Sequence, residues 1–433
     1  MMKTIVNIIF LAVFWIIPFA TMYVIFRILN ITTSYFIPAL YLVFLFISIT
    51  YKNFWSFQTF NKKRGIIKFL SVFFISFLIL LYLNTLCYRS YRLYQYLVTE
   101  NKRGWEGIAH QTDDTLGYKP VPNARAFHTF TVGDKIPMAF DGNGFRIPLS
   151  DTSKIIESNK TDLLFLGCSF TYGDACYAEE TFPFLVAKKT NLSYINGGVC
   201  AYGLSQMLIL AEKLIPKYKP NYVILQYSPW LVSRGTNIFA PVYFGSSPVP
   251  YFSERNNNYF LELPIYKSQI YNLSDKLIKS SYRGNFIKFL FKKGCFFYLY
   301  EDWAFLKINF LFITGHLLRP ATNQKEVEKY AYSRIKTIAE KNGATVIILN
   351  LGDIEYSKNS HSLFSASNIY FAEADSFLNE FLKNSLSKDY IKEFEQWRFN
   401  GKDSIMVDDH PNFKAHSLIA NSIIKEINKI KNK

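Results

Sequence analysis

The chain has 433 residues and a formal net charge of +16; 50% of its residues are hydrophobic and 18% aromatic. That length accommodates a membrane part plus one large domain or two small ones, and that composition is too apolar for a wholly water-exposed chain. The positive charge is mostly Lys scattered among Asn, Ile, Phe and Tyr, with no compact Arg/Lys stripe or recognition motif, so no nucleic-acid partner is expected and anionic lipid or acidic glycan suits it better.

In chain order, residues 4–26, 28–51 and 69–88 are free of charge and each reaches the roughly 20 apolar residues that span a bilayer. Three transmembrane helices are predicted. Lys52, Lys62, Lys63, Arg64 and Lys68 crowd the loop between the second and third, which places that loop and the N-terminus in the cytoplasm of a multi-pass inner-membrane protein. Everything after Tyr88 is then extracytoplasmic, although Arg89 and Arg92 run against the asymmetry.

Residues 91–160 read as a connecting region rich in turn residues, with one strand-like stretch at 127–132. The alternative is that Asp141 or Arg146 within it reaches a substrate. An alternating pattern follows. Strands are expected at 163–166, 193–196, 222–226 and 344–350, and helices at 181–189, 204–214 (ended by Pro216), 325–341 and 417–430. Short apolar strands separated by helices argue for an α/β domain over 161–433, a parallel sheet with helices on both faces. Residues 235–322 interrupt the rhythm with an aromatic-rich insertion. Its Lys288, Lys292, Lys293, Glu301, Asp302 and Lys307 exclude a simple fourth span; a membrane-surface cap and an ordinary core helix pair both fit.

Parallel sheets bind ligands at the carboxyl ends of their strands. The segment "LLFLGCSFTYGD" puts Cys168 and Ser169 at such an end, and "DDHPNFKAH" puts Asp408, Asp409, His410 and His416 before the last helix. Acyl transfer needs a nucleophile, a base and a group that orients the base; Ser169, His410 and Asp408 are those types. Cys168 is the rival nucleophile, but a thiol at a strand end more commonly packs inward. No C-x-x-C pair occurs among the five cysteines, and the His/Asp cluster has no second ligand group, so no metal or cofactor is expected. A Cys176–Cys200 disulfide is left open by spacing alone, and His416 is expected to pack on or cap the last helix.

These blocks resemble the SGNH (GDSL-like) hydrolase family. "GCSFTYG" resembles its first block, "NGGVCAYGLSQ" its second and "DDHPNFKAHSLIA" its last, while "EETFP" and "LGYKP…GNGFR" resemble features of membrane-anchored bacterial members. The resemblance covers roughly residues 113–230 and 344–424. It implies a flavodoxin-like three-layer fold and a Ser169–His410–Asp408 triad. It implies oxyanion donors at Ser169 N–H, at Ala201 where the family has glycine, and near Trp230 where the family's Asn is missing. Ser228 and Arg234 are the other candidates for contacting substrate there. The expected activity is an extracytoplasmic serine esterase or acyltransferase, acting on acyl, most simply acetyl, esters of a cell-surface carbohydrate. A catalytically weak binding or assembly protein, motivated by the missing Asn, and a lipid esterase stay open.

Overall fold

The computed structural model describes residues 82–83, 85–91, 103–107, 109–130, 132–133, 135–151, 160–241, 247–256, 258–265, 295–352, 354–364 and 369–433. The chain divides into two compact units, residues 1–100 with 282–304 and residues 101–281 with 305–433. Predicted spans 4–26 and 28–51 lie outside the described residues; of 69–88, residues 82–83 and 85–88 are described and are helical. Among the described residues, no helix is long and apolar enough to cross a membrane. In the smaller unit Asp302 accepts the Tyr82 hydroxyl at 2.8 Å and Arg89 Nη1 at 2.7 Å, so the arginine that ran against the charge asymmetry is paired.

The larger unit opens with strands β1 (Arg103–Glu106), β2 (His110–Asp113), β3 (Gly117–Pro120), β4 (Arg125–Phe130), β5 (Ile136–Phe140) and β6 (Arg146–Ile147). β2 and β3 form a hairpin, and the others an antiparallel sheet ordered β1-β4-β5-β6. This corrects the expectation of a connecting region. Ala109, Leu116, Tyr118, Ala126, Met138 and Phe140 lie in the main hydrophobic core. The alternation that would have revealed them is hidden by turn residues and by strands only four to six residues long.

The central sheet is parallel and five-stranded, built from β7 (Leu163–Leu166), β8 (Tyr194–Asn196), β9 (Tyr222–Tyr227), β12 (Thr345–Asn350) and β13 (Tyr370–Glu373) in the order β13-β12-β9-β7-β8. Counted along the chain that is 2-1-3-4-5, the flavodoxin-like order expected from the motif blocks. Side-chain alternation sorts each strand between two cores. Leu164, Leu166, Val223, Leu225, Val346 and Ile348 face the helices Leu204–Tyr218 and Gln324–Lys341; Leu163, Phe165, Ile224, Ile347 and Leu349 face the helices Phe182–Thr190 and Phe413–Lys431. Three layers result, with strands apolar on both faces, each buried Leu, Ile or Phe contributing roughly 1.5–3 kcal/mol.

Two helix boundaries differ from expectation. Pro216 lies inside the helix Leu204–Tyr218, in its last turn. The carbonyl its ring deprives of a partner belongs to Glu212, which is exposed to solvent. The last helix starts at Phe413 because Asn412 Oδ1 caps Ala415 N–H at 3.1 Å, ahead of the first apolar-periodic residue. The ends of the insertion also differ from a detached cap. Its hairpin β10 (Tyr251–Arg255) and β11 (Asn258–Glu262) buries Tyr251, Phe252 and Ser253 completely, and Ala240, Val249, Phe252 and Ala321 join the main core.

Candidate active site

β7 ends at Leu166, and after Gly167 and Cys168 the chain turns into the short helix Ser169–Tyr172. This places Ser169 at the carboxyl end of β7, beside β9, where the strand order reverses. The turn is tight. A Cβ on Gly167 would lie 2.1 Å from Thr171 Oγ1, and one on Gly198 would lie 2.4 Å from the Tyr172 backbone nitrogen. The glycines of "LGCS" and "NGGV" are therefore required by close approach rather than by flexibility.

A fully buried glutamine organises the turn. Gln226 Oε1 accepts Cys168 N–H at 3.0 Å and the Thr171 hydroxyl at 2.8 Å, while its Nε2 donates to Ser228 Oγ at 2.9 Å. Arg146 supports the turn from the opposite side. Buried, it donates from Nη1 to the Tyr172 carbonyl at 3.0 Å and to that of Gly173, donates from Nη2 to that of Cys176, and lies over the Tyr172 ring. Asp141 closes the β5–β6 turn through the N–H groups of Asn143 and Phe145. Both residues thus have structural roles, in place of the substrate contact left open by the sequence.

His410 Nδ1 lies 2.5 Å from Asp408 Oδ1, which also accepts the His410 backbone N–H at 2.9 Å. Asp409 Oδ1 is 3.4 Å from the same ring nitrogen. Asp408, Asp409 and His410 bring one ligand atom each within 4.8 Å of one another. Both carboxylates address a single imidazole nitrogen, which is the geometry of hydrogen bonding rather than of coordination around a shared ion. The ring packs edge-on against Phe170, centroids 5.6 Å apart, and Phe170 packs edge-on against Trp230 at 5.2 Å. His410 therefore sits against the residue that follows Ser169. Its Nε2 is 3.9 Å from Asp174 Oδ2, and the Asp174 N–H donates to the Ser169 carbonyl at 3.0 Å. Burial alone would lower the His410 pKa; hydrogen bonds from its ring to Asp408 and Asp409 and the charge of Asp174 outweigh it and hold it up at about 10.

The oxyanion side differs from its expected form. Ala201 adopts a left-handed conformation with φ 60°, which costs a non-glycine residue about 1–2 kcal/mol. The Trp230 indole N–H donates to Cys168 Sγ at 3.2 Å instead of facing a substrate oxyanion. Burial would raise the Cys168 pKa, but the charge of Arg234 and donors from Trp230, Phe170 and Gln226 bring it below the ordinary thiol value. Ser169 Oγ lies 3.8 Å from it. Ser228 is buried and donates to the Leu351 carbonyl at 2.7 Å, so its hydroxyl is engaged inside the fold rather than with substrate. Arg234 is half-buried, 3.5 Å from the Tyr202 carbonyl.

Cys176 is a free thiol, so the Cys176–Cys200 disulfide does not form. Its Sγ–H faces the Pro411 carbonyl at 3.3 Å, and burial pushes its pKa up to about 12. His416 is fully buried within the last helix, where Nδ1 accepts the Phe182 N–H at 3.2 Å and burial lowers its pKa to about 3. It couples two helices rather than capping one.

Sequence reasoning missed Gln226, Asp174 and His128. His128, on β4, places Nδ1 at 3.0 Å from Asp174 Oδ1 and Nε2 at 3.9 Å from Asp408 Oδ2. Asp174 was inside the quoted motif; nothing local marks a histidine in the preceding region.

No family model and no curated protein matches the chain. Among solved structures it is similar to a lipolytic protein of the G-D-S-L family from Desulfitobacterium hafniense DCB-2 (11% identity, 61% of this chain, 99% of that chain, TM-score 0.32). It is also similar to a catalytic mutant of the acetylxylan esterase Axe2 from Geobacillus stearothermophilus (12%, 62%, 94%, 0.31). A third is a carbohydrate esterase family 2 enzyme with a carbohydrate-binding domain from Corynascus thermopiles (12%, 77%, 92%, 0.33). At these identities and scores the likenesses carry no weight for the site, whose chemistry is argued from its own side chains.

Proposed function

We propose that this chain is a serine esterase or acyltransferase. The observation that carries the reading is the buried Asp408–His410 pair, 2.5 Å between Oδ1 and Nδ1, packed on Phe170 directly after Ser169 at the carboxyl end of β7. Ser169 Oγ attacks the acyl carbonyl and its proton passes to His410 Nε2. Asp408 keeps Nδ1 protonated and steadies the imidazolium. The N–H groups of Ser169 and Ala201 are the donors this reading assigns to the oxyanion. His410 then returns the proton to the departing alkoxide, and water or an acceptor hydroxyl releases the acyl group from Ser169 by the reverse steps.

The substrate reading is an acyl ester on a cell-surface carbohydrate, reached from the outer side of the cytoplasmic membrane. It is supported by the three uncharged apolar stretches, by the Lys-rich loop between the second and third, and by the resemblance of the motif blocks. Hydrolysis of p-nitrophenyl acetate by the full chain in detergent tests the chemistry. Ser169→Ala should lower kcat by at least about 10³-fold with the fold intact. Undiminished turnover in that variant removes the serine mechanism, and no turnover of any ester by the parent favours a binding protein.

A further inference from the structure

Beyond the serine, histidine and aspartate of the reaction, the site holds a second histidine–carboxylate pair. His128, Asp174, Asp408 and His410 are each more than nine-tenths buried. Imidazole and carboxylate alternate around them: His410 to Asp408 at 2.5 Å, Asp408 to His128 at 3.9 Å, His128 to Asp174 at 3.0 Å and Asp174 back to His410 at 3.9 Å. Two buried carboxylates need compensating charge, and the His410 imidazole lies between them, Nδ1 toward Asp408 and Nε2 toward Asp174. The arrangement is asymmetric at His410. Asp408 takes Nδ1, as a base-orienting group should, whereas Asp174 faces Nε2, the nitrogen that must receive the serine proton.

We propose that Asp174, whose carboxylate lies 3.9 Å from Nε2 of His410, is a positioning residue that competes with Ser169 for that nitrogen and so gates the base. The inference rests on the serine reading of the site. In the resting state His410 carries protons on both nitrogens, with Nε2–H directed at Asp174. Loss of the Nε2 proton to solvent leaves the neutral ring, still donating from Nδ1 to Asp408, and only then is Nε2 a lone pair for the Ser169 hydroxyl. The other groups around His410 do not reverse this. Asp409 adds negative charge from the same loop, as does Glu395 just ahead of the strand Gln396–Phe399, whose own carboxyl feels His410. His416 on the last helix is held neutral by burial, with Arg146 and His410 acting in the same direction.

The test follows His410 directly. The chain has six histidines, few enough for a carbon-13 label at histidine Cε1 to resolve them, with His410→Gln giving the assignment. The parent should titrate near pH 10. Asp174→Asn should move that midpoint down by at least about one unit, Asp174→Glu should keep it alkaline, and the acid limb of kcat/KM should follow, giving about tenfold more neutral base at pH 7 per unit moved. A parent midpoint near the ordinary value of about 6.5 overturns the proposal even if Asp174→Asn fails to fold. So does an Asp174→Asn midpoint equal to the parent's. Absence of esterase activity in every variant would remove the serine reading, while the titration would still decide what Asp174 does to His410.

Discussion

His416 and His410 are buried histidines with opposite shifts, and the sign of each follows from its neighbours. His416 has only an N–H donor at Nδ1 and cationic neighbours, so burial keeps it neutral and its pKa falls to about 3. Between about pH 6.5 and that value the unfolded chain takes a proton that the folded chain refuses, so stability present above about 6.5 is lost as pH falls. His410 works the other way. Its raised pKa contributes stability in full below about 6.5, which is lost as pH rises towards about 10. The windows do not overlap. His416→Gln, which keeps an acceptor for Phe182 N–H, should therefore shift the midpoint of acid unfolding to lower pH and leave alkaline unfolding unchanged. Circular dichroism against pH measures both, and an unmoved acid midpoint would show that protonation of His416 does not drive acid unfolding.

At the scale of elements, the loop between β8 and the helix Leu204–Tyr218 shows how a motif is held in a strained form. Tyr118 on β3 donates from its hydroxyl to the Cys200 carbonyl at 2.8 Å, and the Tyr202 hydroxyl donates to the Tyr118 carbonyl at 2.6 Å. These reciprocal bonds bracket Ala201 at φ 60°. Glycine at this position removes a penalty of about 1–2 kcal/mol but makes the unfolded chain more flexible by about 0.4–1 kcal/mol. Ala201→Gly should thus stabilise the protein by a few tenths to about 1 kcal/mol. The Ala201 N–H survives the change, so kcat should hold. A lower unfolding midpoint would mean that the loop does not pay the left-handed penalty.

At the scale of the molecule, the antiparallel sheet and hairpin of residues 103–147 are part of the domain that carries the site. They contribute Tyr118, Met138 and Phe140 to the main core, Arg146 to the turn after Ser169 and His128 to the buried ring. A chain begun at Lys160 would expose that core face and release the Tyr172, Gly173 and Cys176 carbonyls from Arg146. It should bind the apolar dye ANS, lose cooperative unfolding and lose esterase activity. A cooperative, active fragment would return the region to the linker role that its composition suggested.

Four of the five strands of the parallel sheet and most of its helices were legible from the residues alone, because apolar periodicity and caps are properties of neighbours along the chain; the fifth, β13, was not expected. So were Ser169, Asp408 and His410 as candidates, since each lies in a short block whose glycines and proline mark a strand end. Apart from the strands of residues 103–147, the edge strand β13 and two helix ends, the assignments that differed concern polar groups choosing partners far away along the chain. Trp230 was free to donate to a substrate or to Cys168, Ser228 to a ligand or to the Leu351 carbonyl, and His128 looked like one polar residue in a turn-rich stretch. A hydrogen bond is won by whichever acceptor the packed fold brings within about 3 Å, and burial decides whether a proton stays. Sequence therefore determined the sheet, its order of elements and the chemical types at its edge. Only the tertiary structure decided which of those groups face one another, because that depends on contacts between segments far apart in the chain, such as Trp230 with Cys168 and His128 with Asp174.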